Sequence, residues 1–308
     1  MGIRIRGAGS YLPPKIVTNH DLSKLMDTSH EWIVERSGIE QRHFAEKATK
    51  TFELASHAAK KALERSGLQG SDIDLIIVGT TTPDQVFPST AVHVQREISA
   101  NNAFAFDIQA VCAGFIYALS TARNFILSGQ VKTVLVIGAE KYSSLLDFND
   151  RTTAVLFGDG AGALVLEHAP EPCDSGASWL KSNGELADLL YCDTHIHMNG
   201  KEVFKNGIRL MSDAVVKILE QEKLSLDDID FIIPHQANSR IIEGIAQKLG
   251  ISLEKIVMTI NIHGNTSAAS IPLAFDTAVQ SGRIKRGDRL LFVGLGGGLT
   301  WGSFLLTY

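Results

Sequence analysis

Three side chains in this sequence have the types that acyl transfer uses: the thiol of Cys112, the imidazole of His235 and the carboxamide of Asn265. A thiolate is both a good nucleophile and a good leaving group, so a cysteine can carry an acyl group reversibly. Each residue also has a simpler interpretation. Most free cysteines are small buried hydrophobes, His235 could be a core histidine, and Asn265 could cap the helix that follows it.

The sequence around Cys112 changes its period at the cysteine itself. Phe104, Phe106 and Ile108 alternate with small or polar residues, which predicts a strand, whereas apolar residues from Cys112 to Leu119 recur at helical spacing. A strand that turns into a helix here places the thiol at a helix N-terminus, where unpaired amides favour an anion. In such positions a thiol pKa can fall to roughly 3.5–7.5. We therefore expect a nucleophilic thiolate.

The elements that position these residues alternate between helix and strand. Residues 52–66 have helical spacing and end at Gly67, while residues 75–78 and 134–137 are continuous apolar runs typical of buried strands. His235 follows another such run, 231–233, at the strand end where open α/β sheets usually bind ligands. The alternation predicts an α/β fold with a parallel sheet.

The second half of the chain repeats the first. The segment 72–77 reappears as 228–233, and 134–138 resembles 290–294, both at an offset of 156 residues. Such a repeat predicts two similar α/β units, which we place at residues 1–169 and 170–308. Because Cys112 and Ala268 are then equivalent, the turns that carry Cys112 and Asn265 are expected to face each other.

Composition excludes several classes of protein. The 308 residues carry a net charge of −5 with a pI of about 6.1, which argues against nucleic acid as the main partner. No apolar run approaches the length of a membrane span. The three cysteines, Cys112, Cys173 and Cys192, fit no metal or redox motif. We expect a soluble cytoplasmic protein.

Smaller features are ambiguous on their own. Gly296 to Gly298 could form a tight turn or bring amide groups close to a ligand. The run 158–162 contains three glycines and is interpreted as a turn. His195 and His197 lack a third ligand, so we assign no metal.

Together these segments closely resemble β-ketoacyl-[acyl-carrier-protein] synthase III, the initiating condensing enzymes of bacterial type II fatty acid synthesis. The resemblance extends nearly end to end and rests on six motifs in the same order. They are Thr28-Ser-His-Glu-Trp32-Ile-Val-Glu-Arg36-Ser-Gly-Ile, Val111-Cys112-Ala-Gly-Phe, Asp150-Arg151 before Phe157-Gly-Asp-Gly-Ala-Gly, Pro234-His235-Gln-Ala-Asn238, His263-Gly-Asn265-Thr-Ser-Ala-Ala-Ser, and Gly296-Gly-Gly-Leu-Thr-Trp-Gly-Ser303.

The resemblance implies a thiolase-like fold of five αβαβα layers with pseudo-twofold symmetry, built from two duplicated halves and assembled as a homodimer. It implies that Cys112 takes an acyl group from acyl-CoA as a thioester. His235 and Asn265 would hold the thioester carbonyl of malonyl-acyl carrier protein during loss of carbon dioxide, and the carbanion would attack the acyl-cysteine. The backbone amides of Cys112 and Gly297 would form the oxyanion hole. Coenzyme A enters as a substrate thioester, and no separate cofactor is implied.

The resemblance also implies three sets of binding residues. The coenzyme A contacts are Thr28, Trp32, Arg36, Arg151, Gly200 and Asn238. The basic contacts for the acidic carrier protein are Lys205, Arg240 and Lys248. The primer pocket is lined by Phe87, reaching across the dimer, with Tyr142, Phe157 and Phe204. Tyr142 is bulkier than the aliphatic residue expected there, which favours a short primer such as acetyl.

Three other functions compete with this one. A degradative thiolase needs a second cysteine near the C-terminal glycine turn, and residues 294–298 contain none. An acyltransferase or ketosynthase of secondary metabolism on the same fold stays open. So does a non-catalytic scaffold that binds acyl-CoA through Trp32 and Arg36 without using the thiol.

Overall fold

The computed structural model describes residues 2–170 and 174–308, so Cys173 lies outside the described residues. The strands are β1 (Gly2–Tyr11), β2 (Ile16–Thr18), β3 (Gln41–His43), β4 (Leu75–Gly79), β5 (Phe104–Ile108), β6 (Thr133–Lys141), β7 (Asp159–Ala169), β8 (Ala177–Ser182), β9 (Leu190–Cys192), β10 (Ile196–Met198), β11 (Phe231–Pro234), β12 (Arg289–Gly296) and β13 (Thr300–Thr307). The helices are α1 (Asn19–Leu22), α2 (His30–Ser37), α3 (Thr51–Ser66), α4 (Thr90–Glu97), α5 (Gly114–Leu127), α6 (Arg151–Ala154), α7 (Gly200–Glu222), α8 (Ser239–Leu249), α9 (Ile260–His263) and α10 (Ser270–Gln280).

Two main sheets form the frame of the molecule. The first has the strand order β1-β7-β6-β4-β5, and the second has the order β11-β12-β13-β8. In the first sheet β4 pairs in parallel with β5 and β6, while β7 is antiparallel to both β6 and β1. In the second, β11 and β12 are parallel and β13 is antiparallel to its two neighbours.

The expectation of a parallel sheet is therefore wrong for one side of each sheet. The segments that connect these strands explain the antiparallel pairing. Only residues 297–299 join β12 to β13, and so short a link cannot make the crossover that parallel pairing requires. Between β6 and β7 the connection contains no helix longer than the four residues of α6.

Five layers follow from which faces the core residues share. Leu119 of α5 and Phe275 of α10 belong to one buried cluster with strand residues of both sheets, so these two helices form the middle layer. The other face of the first sheet packs on α3 and α4. The other face of the second sheet packs on α7 and α8. The order is thus helix, sheet, helix, sheet, helix, as the resemblance implies.

The duplication is visible in the backbone as well as in the sequence. The 3-10 turns Val111–Ala113 and Ser267–Ala269 pack against each other and are separated by the same 156 residues, as are the starts of α5 and α10. Val111 and Ser267 even share a left-handed backbone, with φ of 49° and 48°. The two turns are structural equivalents. All strands of the first sheet precede residue 170, and all strands of the second follow it.

The glycine run 158–162 is not a turn, because its residues from Asp159 onward belong to β7. Its glycines serve helix packing instead. A Cβ atom at Gly162 would lie 2.7 Å from Cβ of Pro272 at the start of α10. The middle layer can approach the sheet closely only because a side chain is missing there.

A fourth apolar cluster lies outside the five layers and includes Ile33 of α2, Leu22 of α1 and Val155 beside α6. We call this cluster, together with α1, α2 and α6, the cap. Among the helices of residues 2–170 and 174–308, none is long and apolar enough to cross a membrane.

Candidate active site

The structure brings Cys112, His235 and Asn265 to the wall of one cavity of about 460 Å³. Each side chain belongs to a different element: the turn before α5, the end of β11 and the loop before α10. All three are at most 5% exposed. The duplicated fold explains part of this convergence, because the two equivalent turns pack against each other.

The turn that carries Cys112 is held from the C-terminal side. Thr300 Oγ1 donates a hydrogen bond of 2.8 Å to the carbonyl of Ala110. Gly296 lies so close that a Cβ there would be 2.6 Å from that carbonyl and 2.7 Å from the Cys112 amide nitrogen. The absence of a side chain at Gly296 therefore lets the last hairpin pack directly on the nucleophile turn.

The pKa of the Cys112 thiol is raised, whereas the sequence predicts a lowered value. Burial raises it to about 12, and the carboxyl of Glu140 adds to the rise, while hydrogen bonds with the Ser267 side chain and the Cys112 amide lower it only in part. Burial therefore opposes the standing thiolate that the sequence predicts, and a protonated thiol has to lose its proton as it reacts.

His235 is a neutral imidazole whose tautomer is fixed by its neighbours. Burial lowers its pKa to about 3. Its Nδ1 lies 2.7 Å from Ser270 Oγ, and that oxygen also accepts the Gln236 amide at 3.3 Å. Among the described residues Ser270 Oγ has no other acceptor for its own hydrogen, so we assign that hydrogen to Nδ1. Nε2 then carries a hydrogen and acts as a donor.

Asn265 is oriented by its own loop. Its Oδ1 accepts the backbone amide of Ser267 at 2.9 Å, which leaves the Nδ2 group as the donor for the cavity. Its backbone is paired with the first half, because its amide donates to Leu156 and its carbonyl accepts from Gly158, both at 2.9 Å. Asn265 thus sits where the two halves are joined.

Gly297 follows the contact with Cys112 in the turn between β12 and β13. A Cβ atom there would lie 2.7 Å from the carbonyl oxygen of Leu190, the first residue of β9. The segment between β8 and α7 therefore rests on the glycine turn, and a larger residue would push the two apart.

The coenzyme A residues implied by the resemblance gather in the cap and at the cavity mouth. Arg36 lies over the Trp32 ring at 4.4 Å and Arg151 at 4.9 Å, measured from each guanidinium carbon to the ring centroid. Arg151 also bonds to the backbone carbonyl and, at 3.2 Å, to the carboxylate of Asp27. Thr28 Oγ1 is buried and has no hydrogen-bond partner among the described residues.

The remaining predicted contacts lie along α7 and α8. Gly200 begins α7 and Asn238 caps α8, and both line the large cavity. Asn238 Nδ2 donates to the carbonyl of Arg36 at 2.8 Å, which ties α8 to the cap. Of the basic residues, Arg240 lines the cavity, whereas Lys205 and Lys248 are exposed on their helices. Lys201, which the sequence analysis missed, also lines the mouth.

A second cavity of about 260 Å³ opens on the other side of Cys112. Tyr142 and Phe157 line it and stack with their ring centroids 4.8 Å apart. Phe204 lies elsewhere, in the large cavity with Trp32. Phe87 is 83% exposed and lines neither cavity within this chain.

Sequence reasoning missed the polar groups that surround the three central residues. Ser267 and Ser270 lie inside a quoted motif, but only the fold shows which side chains they meet. Glu140 is fully buried at the end of β6. The one available signal was a carboxylate directly after the apolar run 134–139, a position that a buried strand seldom gives to a charge. Among the described residues, no cluster of three or more side chains could hold a metal ion.

Comparisons with known proteins agree with this geometry. Residues 106–184 match the family 3-Oxoacyl-[acyl-carrier-protein (ACP)] synthase III, and residues 219–308 match its C-terminal part. A β-ketoacyl-acyl-carrier-protein synthase III from Paramagnetospirillum magneticum is 53% identical, with 98% of each chain covered. The crystal structure of the synthase III from Aquifex aeolicus is 47% identical over the whole of both chains, with a TM-score of 0.97. The priming β-ketosynthase of the R1128 polyketide pathway is 34% identical, covers 99% of this chain and 96% of its own, and has a TM-score of 0.95.

Fold and site define a thiolase-like α/β acyltransferase. The chain belongs to the β-ketoacyl-acyl-carrier-protein synthase III family, in which an acyl-CoA is condensed with malonyl-acyl carrier protein to initiate fatty acid synthesis.

Proposed function

We propose that Cys112 accepts a short acyl group from acyl-CoA and passes it to the carbanion formed from malonyl-acyl carrier protein. The observation that carries this proposal is the shared cavity of Cys112, His235 and Asn265. The products are 3-ketoacyl-acyl carrier protein, coenzyme A and carbon dioxide. Acetyl-CoA is the proposed primer.

The proposed roles of His235 and Asn265 follow from their hydrogen-bond partners. Loss of carbon dioxide leaves negative charge on the thioester oxygen, and fixed neutral donors stabilise such charge without reorganising. His235 Nε2 and Asn265 Nδ2 are left to donate into the cavity, because the other polar atoms of these side chains are held by Ser270 and Ser267.

Acyl transfer to Cys112 forms a different oxyanion, at the cysteine itself. We assign its stabilisation to the backbone amides of Cys112 and Gly297. The close packing of Gly296 on the Cys112 amide supports this assignment, because it brings the glycine turn next to the nucleophile.

For coenzyme A, we propose the route from Trp32 and Arg36 past Gly200 and Asn238 to Cys112. Arg151 stands 4.9 Å above the Trp32 ring, which leaves no room for a third planar group between them. If the adenine of coenzyme A stacks between Trp32 and Arg151, the Arg151 side chain therefore has to turn away from Asp27. The exposed cations Lys205, Arg240 and Lys248 supply a local positive surface for the acidic carrier protein on a molecule of net charge −5.

Assembly as a homodimer is proposed from the edge of the first sheet. β5 is the outermost strand, and Phe104 at its start is 46% exposed. Val86 and Phe87 nearby in the first half are 95% and 83% exposed. A free strand edge beside large exposed apolar side chains is typical of a surface that another chain covers. The cytoplasm is the proposed location, because a catalytic thiol must stay reduced.

One other function has a specific observation in its favour. The likeness to the R1128 priming ketosynthase supports a role in a secondary-metabolite pathway with the same chemistry on another primer or carrier.

The deciding experiment incubates the purified protein with a panel of acyl-CoAs and malonyl-acyl carrier protein and identifies the products by mass. We expect an acetylated protein with acetyl-CoA alone, no acetylation of Cys112→Ala, and a 3-ketoacyl product when malonyl-acyl carrier protein is added. Carbon dioxide release without that product would indicate a different acceptor. Binding of acetyl-CoA without acylation would identify a scaffold.

A further inference from the structure

A buried arginine holds part of the wall of the large cavity, and no step described so far uses it. Arg42, the central residue of β3, has no exposed surface. Among the described residues no carboxylate pairs with it. Burial lowers its pKa to about 10, so the guanidinium is still charged at neutral pH. Because burying a charge without a counterion is costly, packing alone does not explain this residue.

The guanidinium donates hydrogen bonds to three separate parts of the chain. Its Nη1 lies 3.2 Å from the carbonyl oxygen of Val17 in β2 and 2.8 Å from Asn19 Oδ1 in α1. Its Nη2 donates to the carbonyl of Val155 at 2.6 Å. Val17 and Val155 belong to the apolar cluster of the cap, and Val155 also lines the large cavity. Arg42 therefore ties the cap to the cavity wall.

The segment that follows Val155 holds the backbone of Asn265. The carbonyl of Leu156 accepts the Asn265 amide, and the Gly158 amide donates to the Asn265 carbonyl, both at 2.9 Å. The hydrogen bond from Arg42 is thus made one residue before the carbonyl on which Asn265 rests.

The aliphatic part of Arg42 packs on the same loop. A Cβ atom at Gly264, the residue before Asn265, would lie 3.0 Å from Arg42 Cβ and 3.3 Å from the Leu156 carbonyl oxygen. Gly264 has φ of 68° and ψ of −167°, a conformation that favours glycine. The backbone that leads into Asn265 is therefore packed between Arg42 and Leu156.

The position of this backbone sets the direction of the Asn265 donor. Inside its own side chain, Asn265 is held through Oδ1, which accepts the Ser267 amide at 2.9 Å. Donors that stabilise a developing charge are effective because they are fixed before the reaction. A displacement of about 1 Å in a reacting group can cost about 100-fold in rate. Residues that fix the Asn265 backbone therefore matter for catalysis without touching the substrate.

We propose that Arg42 is a positioning residue for Asn265 in the decarboxylation of malonyl-acyl carrier protein. The inference rests on the decarboxylation proposed above. Arg42 lines neither of the two cavities beside Cys112, so it acts on the reaction through Val155, Leu156 and the Asn265 loop.

The nucleophile has separate supports. The turn of Cys112 is held by Thr300 and Gly296 of the last hairpin. The hydrogen bonds of Arg42 go to Val17, Asn19 and Val155 instead. Loss of the guanidinium should therefore separate the two half-reactions, so that carbon dioxide release slows while acylation of Cys112 continues.

The test measures both half-reactions in the whole protein. Carbon dioxide release from malonyl-acyl carrier protein is measured in the Cys112→Ala background, and single-turnover acetylation by saturating acetyl-CoA is measured with Cys112 present. For Arg42→Met we expect release to slow about 100-fold, mainly in kcat rather than KM, and acetylation to change by less than about twofold. Arg42→Lys keeps the charge but loses the planar fork, so release should slow about tenfold.

A second measurement asks whether Arg42 acts through Asn265. When Asn265→Ala is combined with Cys112→Ala, Arg42→Met should slow carbon dioxide release by no more than about a further twofold, because the group that it positions is already missing. Arg286→Met is the control. Arg286 also donates to two backbone carbonyls, those of Ile5 and Arg6 in β1, and its loss should change neither half-reaction.

Unchanged carbon dioxide release in Arg42→Met would overturn the proposal. Equal losses in both half-reactions would also overturn it, as would an undiminished effect in the Asn265→Ala background. Thermal unfolding shows whether each variant is folded. If Arg42→Met does not fold, Arg42→Lys decides, and unfolding of both would make Arg42 a structural residue only. Failure of the proposed function would look different, because Cys112→Ala with Arg42 intact would then release no carbon dioxide.

Discussion

At the scale of single residues, the central feature is that each reactive side chain is held by a neighbour. His235 is held by Ser270 and Asn265 by the Ser267 amide, and the turn that contains Ser267 packs against the turn of Cys112. Because the thiol and the imidazole are buried, their pKa values differ from those in water. The imidazole is neutral and the thiol is protonated, so donors and nucleophile are set before any substrate binds.

The neutral state of His235 makes a prediction about pH. With a pKa near 3, the imidazole keeps the same charge at every pH above about 4, so decarboxylation should not vary between pH 5 and 8. The measurement is carbon dioxide release from malonyl-acyl carrier protein by Cys112→Ala, which removes acyl transfer from the reaction. A bend near the usual histidine pKa of about 6.5 would contradict it.

Loss of one donor should affect the same reaction strongly. In the Cys112→Ala background, His235→Ala or Asn265→Ala should slow carbon dioxide release by about 10²–10³-fold, because removal of one oxyanion donor typically costs that much. The rate is read at saturating malonyl-acyl carrier protein, which separates catalysis from binding. An effect on KM alone would assign these residues to binding.

The prediction of a short primer depends on a single residue, Tyr142. Tyr142 fills part of the smaller cavity, stacked on Phe157. Tyr142→Leu should raise the rate of acylation by octanoyl-CoA relative to acetyl-CoA, because the aliphatic side chain leaves more room. Tyr142→Phe is the control: it keeps the ring, loses only the hydroxyl contact with Thr81, and should leave the ratio unchanged. Better acylation of the unmodified protein by octanoyl-CoA than by acetyl-CoA would refute the short-primer assignment.

At the scale of elements, the contact between the last hairpin and the nucleophile turn decides the geometry. Gly296→Ala would put a methyl group within 2.7 Å of Cys112 N and the Ala110 carbonyl, so one of the two turns must move. We expect acetylation of Cys112 to slow by at least about tenfold and the fold to lose roughly 1–3 kcal/mol, as overpacking usually costs.

Single-turnover acetylation and thermal unfolding check this prediction. Gly184→Ala is the matched control, because a Cβ atom at Gly184 meets no atom within 4 Å and should change neither quantity. If Gly296→Ala reacted like the unmodified protein, the hairpin contact would have no role in placing the nucleophile.

At the scale of the whole molecule, the two halves form one cavity that neither half lines alone. Cys112 comes from the first half, whereas His235 and Asn265 come from the second. The proposed dimer is consistent with a shared site, since Phe87 lines neither of the two cavities beside Cys112 within its own chain. If a partner chain covers β5, Phe87 closes the smaller cavity of that partner.

A charged substitution at the proposed dimer surface tests the prediction of a dimer. Phe87→Asp should shift the protein from dimer to monomer in analytical ultracentrifugation and should lower condensation, because a buried unpaired carboxylate is costly. Leu253→Asp, which also replaces a large apolar side chain that is 46% exposed, should leave the assembly intact. A monomeric unmodified protein with full activity would refute the proposal.

The sequence by itself indicated most of the helix and strand pattern, the duplication at 156 residues and the candidate residues Cys112, His235 and Asn265. These features are local or periodic, so they can be recognised from the order of the residues alone. The five-layer thiolase-like fold was predicted through the family motifs, and the structural comparison confirms it.

Only the tertiary structure decided how the strands on one side of each sheet run, that residues 159–162 belong to a strand, and that burial raises the pKa of the Cys112 thiol. The direction of a strand depends on the connections between strands. The pKa of a side chain depends on its burial, which many residues far apart in the sequence produce together. Glu140 illustrates the limit. Its partners Thr81 and Ser267 are 59 and 127 residues away along the chain, so their meeting at one carboxyl group is a property of the fold alone.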